Sequence, residues 1–235
     1  MPVNRIVLLP GLDGTGNLLL NFSQALPSQM RKEIPIYLKD RVLSYEDLIK
    51  LVRSICEDSE PFVLLAESFS TPLAIQIAAE RPKNLKALIL CVGFASSPVR
   101  GFVRWVCWIL APIMMRAAPP DSAIRSLLIG GDAPEPLVGA VRAAISSVRS
   151  KVLAARLRAI LGCDVRSLLN QVNVPMLYLQ ARHDRLVKPR CLEEIRRLRP
   201  DIETATIDGP HLLLPREPQK AAVIVENFLK SLSDK

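Results

Sequence analysis

The stretch Pro61-Phe62-Val63-Leu64-Leu65-Ala66-Glu67-Ser68-Phe69-Ser70-Thr71-Pro72-Leu73-Ala74-Ile75-Gln76-Ile77-Ala78-Ala79 decides the architecture. Phe62 to Ala66 is a continuous apolar run, the pattern of a strand buried on both faces. It stops at Ser68, which has a small residue two positions to either side, and an amphipathic helix follows. This is how a serine is set on a sharp strand-to-helix turn, the nucleophile elbow, which lifts the hydroxyl above a sheet. The usual pattern is G-x-S-x-G; here Ala66-Glu67-Ser68-Phe69-Ser70 replaces both glycines by other small residues. Taken alone, the segment reads equally well as a serine capping the next helix.

The chain around it alternates strands with helices. Strands are predicted at Arg5–Leu9, Ile34–Leu38, Phe62–Ala66, Leu85–Cys91, Pro175–Gln180 and Glu203–Ile207. Helices are predicted from after Gly16 to Met30, at Ser44–Glu57 with Ser44 and Asp47 as a capping box, and at Ser70–Arg81, Pro189–Arg199 and Arg216–Leu232. Such alternation implies a mostly parallel sheet with helices on both faces, an α/β class whose sites form at the carboxyl ends of the strands. From residue 96 to 170 strand patterns vanish and helical periods take over, interrupted by Pro112, Pro119-Pro120 and Gly130-Gly131. The expected organisation is therefore a core of residues 1–95 and 171–235, with a helical cap inserted at 96–170.

Composition narrows the function. The 235 residues are 49% hydrophobic and 23% charged, values of an ordinary globular protein. The net charge is +8, and many arginines fall in the insertion. They read as solvated helix faces or as a basic surface for an acidic partner or an anionic membrane. Aromatics are only 5% and no zinc-finger spacing is present, so nucleic acid is not an expected partner. The five scattered cysteines form no C-x-x-C pair, which points to buried, reduced thiols in a cytoplasmic protein rather than to disulfides or structural zinc. The longest uncharged run, Trp105 to Met115, is too short for a transmembrane segment, and the N-terminus has no signal-peptide pattern. No metal or cofactor is implied.

A serine nucleophile needs a base, an orienting acid and an oxyanion hole. The chain has two histidines. His211 follows the last strand, where the base of such a relay belongs; His183 is read as a surface or supporting residue. Asp184 follows the preceding strand and is the expected acid, with Asp164, Asp201 and Asp208 as weaker rivals. The order Ser68, Asp184, His211 separates this arrangement from chymotrypsin-like and subtilisin-like proteases. The expected oxyanion donors are the backbone N–H groups of Phe69 and of Leu12, the latter in the glycine-rich loop Pro10-Gly11-Leu12-Asp13-Gly14-Thr15-Gly16. That loop lacks the spacing of a phosphate-binding motif.

With these residues in place, the chain resembles the α/β-hydrolase superfamily, in particular small bacterial serine esterase-like members with a helical cap. Two departures are visible: Pro10-Gly11 stands where His-Gly is common, and the elbow lacks its glycines. The loop Pro10–Gly16 also resembles that of plant plastid phytyl ester synthases. The resemblance implies hydrolysis of a carboxylic ester or thioester through a Ser-His-Asp triad and an acyl-enzyme, with an acyl substrate bound under the cap. Gly11, Asp13, Trp105 and Trp108 are the expected substrate contacts. Acyl transfer to an alcohol, an ester carried by an acidic acyl carrier protein docked on cap arginines such as Arg142, Arg149 and Arg156, and a non-catalytic binding protein of the same fold are the alternatives.

Overall fold

A computed structural model of the protein describes residues 3–56 and 60–233. Six strands form one sheet: β1 (Arg5–Leu9), β2 (Arg31–Glu33), β3 (Phe62–Glu67), β4 (Leu85–Cys91), β5 (Met176–Ala181) and β6 (Glu203–Ile207). Their spatial order is β2-β1-β3-β4-β5-β6, and every neighbouring pair is parallel. The flanking helices of the core are α1 (Leu20–Ala25), α2 (Tyr45–Cys56), α3 (Thr71–Ala79), α8 (Pro189–Leu198), α9 (Leu213–Arg216) and α10 (Pro218–Ser233).

Strand alternation sorts the core into two layers. Val7, Leu9, Leu64, Ala66, Leu88 and Leu90 join the cluster that also holds residues of α2, α3 and α8. Ile6, Leu8, Val63, Leu65, Ala87 and Ile89 point the other way, to the cluster that includes Phe22 of α1 and Val225 of α10. Both faces are covered, so the central strands β1, β3 and β4 are buried almost throughout.

Between β4 and β5 the chain is helical: α4 (Gly101–Met114), α5 (Asp121–Ala123) running into a π-helical stretch Ile124–Ile129, α6 (Glu135–Ser146) and α7 (Ser150–Gly162). These helices meet the carboxyl ends of the strands at two places. Ile124, Ile129, Val138 and Val141 cluster with Leu18 and Leu212. Val148, Val152 and Leu153 cluster with Leu12.

Several boundaries differ from the sequence expectation, each for a local reason. The second strand is Arg31–Glu33, not Ile34–Leu38. Pro35 has no N–H to give a ladder, and beyond Glu33 the chain peels away, leaving Ile36 and Leu38 exposed and Tyr37 buried. The first helix ends at Ala25, just before Pro27. The last expected helix is split between Arg216 and Pro218. The capping box at Ser44 forms as read: Asp47 N–H donates to Ser44 Oγ at 3.2 Å and Ser44 N–H to Asp47 Oδ2 at 3.0 Å. Glu57, the expected end of that helix, lies outside the described residues.

Candidate active site

Ser68 follows the last residue of β3 and opens a 3-10 turn, Ser68–Ser70, that leads into α3. Its φ is +47°, a left-handed conformation that a non-glycine residue adopts only when its surroundings hold it there, at roughly 1–3 kcal/mol. Those surroundings are visible. Thr71 Oγ1 donates to Ser68 O at 2.8 Å and accepts from Phe94 N–H at 3.1 Å, binding the turn to the loop after β4.

Ser68 Oγ lies 3.0 Å from His211 Nε2, across 143 residues of chain. His211 Nδ1 lies 2.8 Å from Asp184 Oδ2. The other oxygen, Asp184 Oδ1, accepts the N–H groups of Leu186 and Val187 at 2.8 Å each, so one carboxylate orients the imidazole and also shapes its own loop. With Nδ1–H donated to Asp184, the imidazole presents its Nε2 lone pair to the serine hydroxyl. The rivals are occupied elsewhere: Asp164 by Arg166, Asp201 by Arg199, and Asp208 by His183 at 2.7 Å. His183 is 66% exposed and stands outside the relay.

The first loop makes a tight turn, with Gly14 N–H donating to Gly11 O at 3.0 Å. Leu12 is the first central residue of that turn, where the N–H is free of the turn's own hydrogen bond. Phe69 N–H belongs to the first turn of a helix, where amides have no intrahelical acceptor. Gly14 and Gly16, not Gly11, are the positions that call for glycine; at Gly16 φ is +76° and a Cβ would meet Ile34 at 2.6 Å. Gly14 lies nearer the site. Its φ is +66°, and a Cβ there would meet Arg156 Nη1 at 2.7 Å and Tyr37 at 2.8 Å. Asp13 turns inward and accepts Thr15 N–H at 2.9 Å together with the Thr15 hydroxyl. These bonds brace the loop.

Ser70, the residue in place of the second elbow glycine, has a use of its own. Its hydroxyl donates to Pro10 O, and Tyr37 OH donates to Ser70 Oγ at 2.8 Å, tying the elbow helix to the Pro10–Gly16 loop. Phe69 is stacked on Tyr45, with ring centroids 5.2 Å apart, and Tyr45 OH donates to Phe69 O at 2.9 Å.

Arg156 of α7 completes this scaffold, and it was not foreseen in that role. It is 3% exposed. Its Nη1 donates to Leu12 O at 2.9 Å and Asp13 O at 2.7 Å, its Nη2 to Leu38 O at 3.0 Å, and the guanidinium lies over Tyr37 and Phe69. Burial depresses its pKa, while Asp13 and Tyr37 oppose that shift. The sequence held a signal for it: Arg156 falls at helical spacing from Val152, Leu153 and Ile160, on the apolar face of its helix. Its burial removes it from the set of arginines able to dock a carrier protein.

Glu67 is a second unforeseen feature. It is fully buried beside Ser68, and burial, aided by the negative charge of Asp13, pushes its carboxyl up to about 8. A methyl group at Gly11 would sit 3.5 Å from Glu67 Oε2, so this carboxyl underlies the Pro10–Gly16 loop. Among the described residues its Oε1 has no hydrogen-bond partner.

Trp105 and Trp108 are not brought to this site. They are 66% and 44% exposed on α4, turned to solvent, with Arg158 lying 4.6 Å over the Trp108 ring. The side chains that cover the site belong instead to Leu12, Leu18 and Leu212 and to the helices packed on them. Ser68 and His211 are only 8% and 5% exposed. A cleft of about 810 Å³, lined by Arg125, Asp132, His183, Arg185 and Arg216 among others, reaches Asp184 from the outside but includes neither Ser68 nor His211.

The family model described as "Serine aminopeptidase, S33" matches residues 36–210. The match spans Ser68 and Asp184 and stops one residue before His211. No curated protein sequence matches the chain. Among solved structures, a hydrolase from Oleispira antarctica superposes with a TM-score of 0.83 at 15% identity, covering 97% of this chain and 91% of its own. A thermophilic esterase from Thermogutta terrifontis does so at 0.83 and 19%, covering 97% and 90%. An enol-lactonase from Burkholderia xenovorans gives 0.76 and 17%, covering 98% and 92%. At these identities the likeness is one of fold.

Proposed function

The chain belongs to the serine aminopeptidase S33 family of α/β hydrolases, and from that premise we propose that it is a serine hydrolase acting on carboxylic esters of apolar acids. The observation that carries this reading is the relay of Ser68, His211 and Asp184, at 3.0 and 2.8 Å, with the serine held at positive φ.

Ser68 Oγ attacks the ester carbonyl carbon while its proton passes to His211 Nε2. The imidazolium is stabilised by Asp184. The carbonyl oxygen gains the negative charge and is held by the Leu12 and Phe69 N–H groups. On collapse the C–O bond to the alcohol breaks, and the leaving oxygen takes the proton from His211. Water then repeats the sequence on the acyl-enzyme and frees the acid. Glu67, neutral below about pH 8, adds no charge against the oxyanion.

An ester is favoured over an N-terminal peptide by the charges of the overlying helices. A free α-ammonium needs an unpaired carboxylate. Between residues 96 and 163 the acidic side chains are Asp121, Asp132 and Glu135, and each is paired with an arginine: Arg142, Arg216 and Arg125. The side chains packed on the loop at Leu12 are apolar, those of Val148, Val152 and Leu153, an environment more compatible with an acyl chain than with a charged amine.

The test is a panel of p-nitrophenyl esters and acyl thioesters of graded chain length, with aminoacyl anilides alongside. Ester hydrolysis with an optimum chain length is expected, and Ser68→Ala loses about 10⁶ in kcat along with fluorophosphonate labelling. Ester turnover unchanged in Ser68→Ala, or anilides cleaved faster than esters, would overturn the reading.

A further inference from the structure

The helix α4 (Gly101–Met114) is inverted relative to a normal surface helix. Its outward side chains are apolar: Phe102, Val103, Trp105, Ile109, Ile113 and Met114 are each at least half exposed, and Ala111 is the buried one. At roughly 100° per residue these six sweep about half of the helix circumference, opposite Ala111. The result is a convex ridge, far larger than the single exposed apolar residues of ordinary surfaces.

Along the sequence the charges of this helix and its flanks are of one sign: no acidic residue occurs from Val99 to Pro120, whereas Arg100, Arg104 and Arg116 do. Arg100 is ion-paired with Glu194 at 3.2 Å, which leaves Arg104 and Arg116 as the charges available to a partner. Arg104 projects on the Ala111 side, at the base of the ridge, and among the described residues neither Arg104 nor Arg116 is ion-paired. Arg158 adds a cation over Trp108. At 1.5 Å per residue the helix is about 21 Å long, too short to cross a bilayer, and no helix among the described residues is long and apolar enough to do so.

We infer that α4 docks the protein on an anionic lipid surface, lying in the plane of the interface. The apolar ridge enters the acyl boundary, the tryptophans sit at headgroup level, and the basal arginines meet lipid phosphates. A protein partner would need a groove matched to a convex ridge whose apolar half offers no hydrogen-bonding group; a bilayer needs only the apolar area and the flanking positive charge. The surface is independent of the hydrolase reading, since it involves no residue of the relay.

The molecule carries its own probe, because its only two tryptophans are Trp105 and Trp108. The full chain is titrated with vesicles of phosphatidylcholine, with and without equimolar phosphatidylglycerol, and followed by tryptophan emission and co-sedimentation. A blue shift and co-sedimentation are expected with the anionic vesicles, with release as salt is raised. Arg104→Glu with Arg116→Glu weakens that binding on the order of tenfold or more. Phe102→Ser, Ile109→Ser and Ile113→Ser together abolish it while the far-ultraviolet circular dichroism is unchanged. The inference is overturned if emission and sedimentation ignore anionic vesicles. It is equally overturned if the tryptophans are already shielded in a lipid-free dimer, or if the serine variant binds as well as the parent. None of these readouts depends on ester hydrolysis, so the two proposals fail separately.

Discussion

The neighbouring helices α4 and α7 obey opposite rules. α7 buries a charge: Arg156 is 3% exposed, whereas on α4 Phe102 is 82% exposed. The contrast shows that position in a fold follows from available partners rather than from polarity alone. A guanidinium can be buried where three backbone carbonyls and two aromatic faces receive it. An apolar side chain can be left in water where the adjoining surface supplies no groove to cover it. The inward-facing helix therefore serves the oxyanion loop, and the outward-facing one serves whatever the molecule rests upon.

The sharpest way to break this contrast is to remove the inward charge. Arg156→Met is expected to lower kcat roughly 10²-fold with KM nearly unchanged, because the Leu12 amide acts mainly in the transition state. Chemical unfolding should show a loss of about 3 kcal/mol from carbonyls left without donors. Arg156→Lys restores only part of either, since one ammonium cannot span three carbonyls in a fixed fork. Arg158→Met, on the outward side of the same helix, should leave kcat on soluble esters within about twofold of the parent. Equal losses in the two variants would erase the distinction.

Glu67 tests the same rule with a buried carboxyl, one of whose oxygens, Oε1, has no hydrogen-bond partner among the described residues. Its carboxyl binds a proton more tightly folded than unfolded, so folding stability falls as pH rises from about 4.5 to about 8 and then levels off. The contribution of this one group is at most about 1.4 kcal/mol per pH unit. Glu67→Gln should flatten that decline in urea unfolding measured at pH 5, 6.5 and 8.5. It should also remove the drop in kcat expected above pH 8, where an ionised Glu67 opposes the oxyanion. An unaltered slope would show that the carboxyl is solvated.

Ser70→Gly restores the commoner elbow residue, yet a loss of about 1–2 kcal/mol is expected. Tyr37 OH and Pro10 O would each lose a buried partner. The smallest effect is predicted at Phe102→Ser. Being solvent-facing, it should change stability by less than about 0.5 kcal/mol, and a larger loss would mean that the ridge is part of the core.

Largely apolar runs made four of the six strands readable from sequence, because buried parallel strands carry that pattern, and Glu203–Ile207 was readable from its β-branched residues and place in the alternation. Ser68, Asp184 and His211 were found at strand ends and do meet in space. What sequence patterns could not separate was direction. Trp105 and Trp108 read as pocket residues because a largely apolar helix normally belongs inside, and only the burial of Ala111 shows which side is turned away. Arg156 read as a surface charge although its spacing places it on the apolar face of α7; what no pattern could give is the identity of its partners, which are backbone carbonyls. The edge strand slipped because Pro35 outweighs the apolar Ile34-Ile36-Leu38 spacing.

The positive φ of Ser68 has one more consequence. Position 68 is where the fold would gain from glycine or asparagine, residues that tolerate this conformation far better than serine. A redesign guided by thermal tolerance alone would therefore choose this site early and delete the nucleophile with it. In this chain the preferences of the backbone and of the proposed chemistry diverge at a single residue, and the serine marks which of the two has prevailed.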